Sequence, residues 1–185
     1  MRLNDLLEEE MSSLTSRLGR KNLRILETGT IRGTGEEYRD NDGWSTLVFA
    51  ECVKEYGQLF YSVDLDVSVA TQVLGTRNLL PYANLVKGYS VDVLARMLAG
   101  RIATFDLILL DTDNDAELIL HEYLIARHLL SDEGGTILVD DVDLESSGVV
   151  KGHKLVPWLD ANKTEYRIEK TSGTSYTTGV LVAEF

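Results

Sequence analysis

Residues 111–122, DTDNDAELILHE, carry acids at the first, third, fifth and seventh places and a glutamate at the twelfth. That is close to the ligand spacing of an EF-hand loop, which wraps hard oxygens around calcium. Two features exclude the wrapping. Ala116 stands at the sixth place, where the loop needs glycine for a sharp turn. The apolar spacing of 116–130 is helical, so Glu117 and Glu122 belong to a helix. Asp113, Asn114 and Asp115 then read as helix-start residues, which cap free N–H groups and complement the dipole. Asp111 is left alone at the carboxyl end of FDLILLD (105–111), an apolar run that reads as a buried strand.

Other runs end in the same way. LRILET (23–28) leads into Glu27-Thr28-Gly29-Thr30, and LFYSVD (59–64) ends at Asp64. ANLVKG (83–88) is followed by Tyr89 and Ser90, and GTILVDD (135–141) ends in Asp140-Asp141. Between these strands lie helical stretches at 45–57, 67–78, 90–100 and 116–130, with Ser45 as the N-cap of the first and Gly57 as its stop. A helix over 3–18 precedes them, and 153–161 supplies another. TEYRIEKT (164–171) and TGVLVAEF (178–185), joined by the short SGTSYT loop, predict an antiparallel hairpin. The alternation predicts an α/β fold: a doubly wound, Rossmann-like sheet of seven strands, parallel except for its C-terminal hairpin. The expected organisation is one domain over 1–185, with an N-terminal helix within 1–20 and an inserted loop at 30–44 in the place of a lid.

In open sheets of this kind ligands bind outside the carboxyl ends of the strands. Gly29 lets backbone approach a ligand, Asp64 suits a ribose diol, and Tyr89 with Ser90 suits a flat base. A dinucleotide is disfavoured. The glycines after the first strand, Gly29, Gly33 and Gly35, lack the G-x-G-x-x-G spacing, and the rim is acidic. S-adenosylmethionine, with a ribose, an adenine, an ammonium and a sulfonium, suits such a rim better.

The whole chain is acidic too, with a net charge of -12 over 185 residues. A nucleic acid or an anionic membrane surface is therefore a poor partner. The lone cysteine, Cys52, rules out an internal disulfide, and the acidic N-terminus is neither a signal peptide nor a membrane span. A cytoplasmic location is the default expectation. The sequence does not choose between a monomer and a homodimer.

In order and spacing, ILETGT, YSVDLD, LVKGYS and FDLILLD resemble the successive motifs of class I S-adenosylmethionine-dependent methyltransferases, over residues 20–185. GGTILVDDV after FDLILLDTDND is similar to the small cation-dependent O-methyltransferases of the catechol and macrolide-sugar types. The resemblance implies an enzyme that methylates a hydroxyl of a small molecule with magnesium assistance. It implies that Asp111, Asp140 and Asp141 hold Mg2+, and hard oxygen ligands suit that ion. It implies that Glu27, Gly29, Thr30 and Ser45 line the methionine end of the cofactor. Asp64 would take the ribose and Gly88, Tyr89 and Ser90 the adenine, with Asp111 also among the cofactor-binding residues.

Two departures stand out. The 30–44 loop interrupts the passage from the first motif to the next helix. Asn114 occupies the place where the catechol type carries a lysine and the sugar type a histidine, and an amide is no base. His153 and Lys151, shortly after the acids of the fifth strand, are the replacement candidates, with Asp111 the third member of the catalytic set. The competing readings are a metal-independent N- or O-methyltransferase with His153 as base, and a binding module without catalysis, for which Asn114 is the first sign.

Overall fold

The computed structural model describes residues 1–35, 44–142, 148–172 and 177–185. The 36–43 part of the expected lid, residues 143–147 and the centre of the hairpin loop lie outside the described residues. In chain order the elements are α1 (Leu3–Leu18), β1 (Arg24–Thr28), α2 (Ser45–Tyr56), β2 (Leu59–Asp64), α3 (Ser68–Thr76), a 3-10 turn (Leu80–Tyr82), β3 (Asn84–Lys87) and α4 (Ser90–Gly100). They continue with β4 (Leu107–Leu110), α5 (Ala116–Ala126), β5 (Thr136–Val139), α6 (Gly152–Ala161), β6 (Arg167–Ser172) and β7 (Thr177–Glu184).

The strands form one sheet in the order β3-β2-β1-β4-β5-β7-β6. Pairings from β3 to β5 are parallel, whereas β7 runs antiparallel to both β5 and β6. The apolar runs explain the burial. Every residue of β4 is fully buried, Leu107 and Leu109 against one helical layer, Ile108 and Leu110 against the other. The first layer is α1, α2 and α3, with Leu6, Leu14, Phe49 and Leu74 inside. The second is α4, α5 and α6, with Leu94, Tyr123 and Leu159 inside. The central strands are covered on both faces and so lack polar alternation, whereas the edge strands β3 and β6 are largely exposed.

Two local expectations are corrected. The N-cap of α2 is Trp44, in left-handed backbone at φ 48°, and Ser45 is already helical. Its hydroxyl donates to buried Glu27 instead of closing the helix end. The helix expected over 116–130 ends at Ala126, because Phe105 N–H donates to Leu129 O (2.8 Å) and Ser131 N–H to Phe105 O (2.8 Å). Pairing with the entry to β4 takes over the last turn.

Candidate functional site

The order reverses at β1: β2 and β3 lie to one side, β4 and β5 to the other. Such a switch point opens a crevice at the carboxyl ends of the strands. Gly29 sets its floor. Its φ of +85° and its position against β4 both demand glycine, since a Cβ would fall 2.0 Å from the Asp111 carbonyl oxygen. Asp111 N–H donates to Thr28 O (2.8 Å), which locks the two strand ends together.

Gly29, Val63, Asp64, Tyr89, Ser90 and Asp111 line one cleft there. Asp64 is braced by Thr30 N–H to Oδ2 and Asp66 N–H to Oδ1, both 3.0 Å, and lines the cleft. Tyr89 is 47% exposed, and its ring is available to a flat ligand. Gly88 N–H donates to Asp64 O (2.8 Å), tying the third strand end to the second. A smaller adjoining cavity is lined by Thr30, Arg32, Trp44, Ser45 and Asp111. Asp111 therefore borders both spaces.

Glu27 stands behind this surface and is fully buried. It accepts hydrogen bonds from the hydroxyls of Ser45, Thr46 (2.7 Å) and Ser62 (2.6 Å). Burial pushes its pKa up to about 7, against the pull of those three donors. It braces Ser45 and does not line either cavity.

Glu122 is a second buried acid, overlooked in the sequence as an ordinary helix residue. It accepts from Thr28 Oγ1 (3.1 Å) and Thr112 Oγ1 (3.1 Å), so it supports the β1 and β4 ends from the opposite layer. Burial raises its pKa to about 7 as well. Ile119, Tyr123 and Ala126 form the buried stripe of α5, and the same helical spacing includes position 122.

The remaining acids converge. One oxygen from each of Asp111, Asp140 and Asp141 lies within 4.8 Å of the others. Asp141 adopts left-handed backbone at φ 57°, and its N–H donates to Asp140 Oδ1 (2.9 Å). Asp140 is buried; that burial, then the charges of Asp111 and Asp141, holds its carboxyl well above the usual range. Lys151 enters this cluster. Its Nζ donates to Asp111 Oδ1 (2.8 Å) and lies 3.8 Å from Asp141 Oδ2, and the residue is 1% exposed. Burial pulls the ammonium down, but the Asp111 and Asp140 charges and the hydrogen bond outweigh it, so its pKa stands above the ordinary lysine value.

Three hard oxygens would suit a divalent cation by chemistry alone. Lys151 Nζ competes for the same oxygens. At an effective dielectric of about 20, an ammonium about 4 Å away opposes a divalent ion by roughly 8 kcal/mol, which offsets the attraction of about one ionised carboxylate at the same distance.

The other two residues expected near the base behave differently. Asn114 Nδ2 donates to Gly148 O (2.7 Å), and Asn114 Oδ1 accepts from Val150 N–H (2.8 Å). It clamps the segment that delivers Lys151. His153 is exposed on the first turn of α6 and lines neither cavity.

A seven-stranded sheet in this order, with an antiparallel last pair and a cleft at its switch point, is the Rossmann-like methyltransferase fold. The methyltransferase-domain family matches residues 41–142, more than half of the chain, and the chain belongs to that family. Among curated protein sequences none matches it. The O-methyltransferase TomG from Streptomyces achromogenes, involved in tomaymycin synthesis and solved with S-adenosylmethionine, superposes with a TM-score of 0.70 at 20% identity, over 95% of this chain and 78% of that one. An O-methyltransferase from Bacillus cereus in complex with S-adenosylhomocysteine gives 0.67 at 19%, over 94% and 78%. CalS11, a TDP-rhamnose 3'-O-methyltransferase of calicheamicin biosynthesis, gives 0.62 at 15%, over 96% and 77%. At such identities the likeness is one of fold.

Proposed function

We infer that this chain is a single catalytic domain that transfers the methyl group of S-adenosylmethionine to a hydroxyl of a small molecule. The observation that carries the reading is the shared cleft, which gathers Gly29, Asp64, Tyr89, Ser90 and Asp111 from four strand ends. The O-methyltransferases of similar fold support the choice of oxygen as acceptor.

The parts divide by chemistry. Asp64 has lone pairs free for a ribose diol, and Tyr89, with Gly88 and Ser90, flanks the adenine. Gly29, Thr30 and Ser45 take the methionine end, with Glu27 bracing Ser45 from behind. Asp64, Asp111 and Asp113 make the cleft wall negative, which favours a sulfonium or ammonium over a phosphate. When bound, the cofactor supplies an electrophilic methyl on sulfur. The protein's share is to hold an acceptor oxygen in line with it and to exclude competing water. Lys151 is held by its ion pairs and is not free to take a proton, and His153 lines neither cavity, so catalysis here rests on positioning and on the acidic wall rather than on a dedicated base. The residues that would hold Mg2+ are Asp111, Asp140 and Asp141. With Lys151 among them we place the enzyme with the metal-independent methyltransferases. The net charge of -12 favours a small acceptor over nucleic acid or a membrane surface, and no helix among the described residues is long and apolar enough to cross a membrane.

The test is release of S-adenosylhomocysteine from S-adenosylmethionine in a panel of hydroxylated small molecules, each with an amine counterpart. Turnover confined to hydroxyl acceptors supports the reading. Turnover confined to amines, or none with any acceptor, overturns it.

A further inference from the structure

We propose that the ammonium of Lys151 permanently occupies the position that Asp111, Asp140 and Asp141 would otherwise offer to a divalent cation, so the site carries its own positive charge and binds no metal. The proposal rests on the reading of the cleft as a methyl-transfer site only through Asp111, which belongs to both.

Lys151 is not a surface side chain leaning inward. It is 1% exposed, and the backbone that carries it is fixed on both sides. Before it, Asn114 grips Gly148 and Val150 through both ends of its amide. After it, Lys154 pairs with Glu117 on α5, and Leu155 and Leu159 bury α6 in the second layer. The chain thus spends two side-chain hydrogen bonds, an ion pair and a helix face on delivering one cation to three carboxylates. The delivery matches the acids: Nζ is 2.8 Å from Asp111 and 3.8 Å from Asp141. A cation bridging Asp111 and Asp141 would compete with Nζ for the same oxygens.

The arrangement also gives Asn114 a purpose. An amide cannot serve as a base, but it donates and accepts at once, and here it does both to the 148–150 backbone. One ammonium against these three acids leaves the cluster an excess of negative charge even with Asp140 neutral. Asp111 therefore keeps a negative face toward the cleft while Lys151 holds it in place. Lys151 is on this account a positioning residue: it sets Asp111 and takes the cation's seat.

Manganese stands in for the divalent ion and is titrated into the whole protein, with free Mn2+ followed by its electron paramagnetic resonance signal, with and without S-adenosylhomocysteine. Wild type is expected to show no stoichiometric site up to millimolar ion. Lys151→Met is expected to acquire one site, at least about 100-fold tighter. Circular dichroism checks that the variant is folded, and Lys151→Gln, which keeps a donor toward Asp111, replaces it if it is not. One Mn2+ per wild-type chain at micromolar concentration overturns the proposal, as does a folded variant that binds none. Should both variants unfold, the wild-type titration decides alone. Failure of S-adenosylhomocysteine to bind would count against the methyltransferase reading of the cleft and leave the metal result standing, so the two failures are distinguishable.

Discussion

Replacing Gly29 with alanine tests the floor of the cleft. The new Cβ would sit 2.0 Å from the Asp111 carbonyl oxygen, where contacts below 3.0 Å essentially do not occur, so β1 and β4 must part by at least 1 Å at their ends. The φ of +85° adds the left-handed cost of about 1–2 kcal/mol. The Asp111 N–H to Thr28 O bond of 2.8 Å would be stretched or lost, adding about 1 kcal/mol. The total, roughly 2–4 kcal/mol, lowers Tm by about 5–15 °C in a domain of this size. Because Asp111 and Thr30 move with the strand ends, affinity for S-adenosylhomocysteine should fall at least about tenfold, worth 1.4 kcal/mol. Gly19→Ala is the control: its φ is +67°, but nothing lies within 4 Å of its Cβ. It should show the backbone cost alone and leave binding intact. Thermal unfolding and calorimetric titration of both variants give the comparison. If Gly29→Ala is no less stable than Gly19→Ala and binds as tightly as wild type, the close approach of β1 to β4 is not the constraint described here.

Glu27 makes stability depend on pH. Its folded pKa, about 7, exceeds the unfolded value near 4.5, so the native state binds the extra proton. Its contribution is fully present below about 4.5 and is lost as pH rises through about 7. Urea unfolding should therefore show Glu27→Gln gaining on wild type, by up to about 3 kcal/mol, between pH 5 and pH 8; a difference that does not change with pH would contradict the buried carboxyl. At the opposite end of the sheet, Asp106 is fully buried and held by Arg20 and Arg24, each with a contact of 2.8 Å. Arg24→Met leaves that carboxylate half-compensated and should cost about 2–3 kcal/mol. S-adenosylhomocysteine affinity should not change, and a large loss of affinity would show that the two ends of the sheet are coupled.

The sheet was legible because its central strands are buried on both faces and read as unbroken apolar runs, such as LILL in β4. The acids at their ends were legible for a related reason: a charged residue directly after such a run must sit at the rim. What the sequence hid were contacts made across long separations. VVKGHKLV looks like a solvated lead-in to a helix, yet Lys151 is buried because Asp111, 40 residues earlier, meets it from the neighbouring strand end. Ser45 has the type of an N-cap, but a buried carboxylate on β1 competes for its hydroxyl. Glu122 falls on the inward stripe of α5, where periodicity marks it as buried, while its partners Thr28 and Thr112 come from two different strand ends. Local pattern gives the element and its face; the identity of the partner across the fold does not follow from it.

The most direct test of the account is titration of the protein with S-adenosylhomocysteine, with Asp64→Ala beside wild type. One site per wild-type chain is predicted. Removing a carboxylate that accepts two ribose hydrogen bonds should weaken it by about 10- to 100-fold, in line with about 1.5–3 kcal/mol for a hydrogen bond to a charged group. No binding by folded wild type, or equal binding by both proteins, would contradict the assignment of this cleft to S-adenosylmethionine.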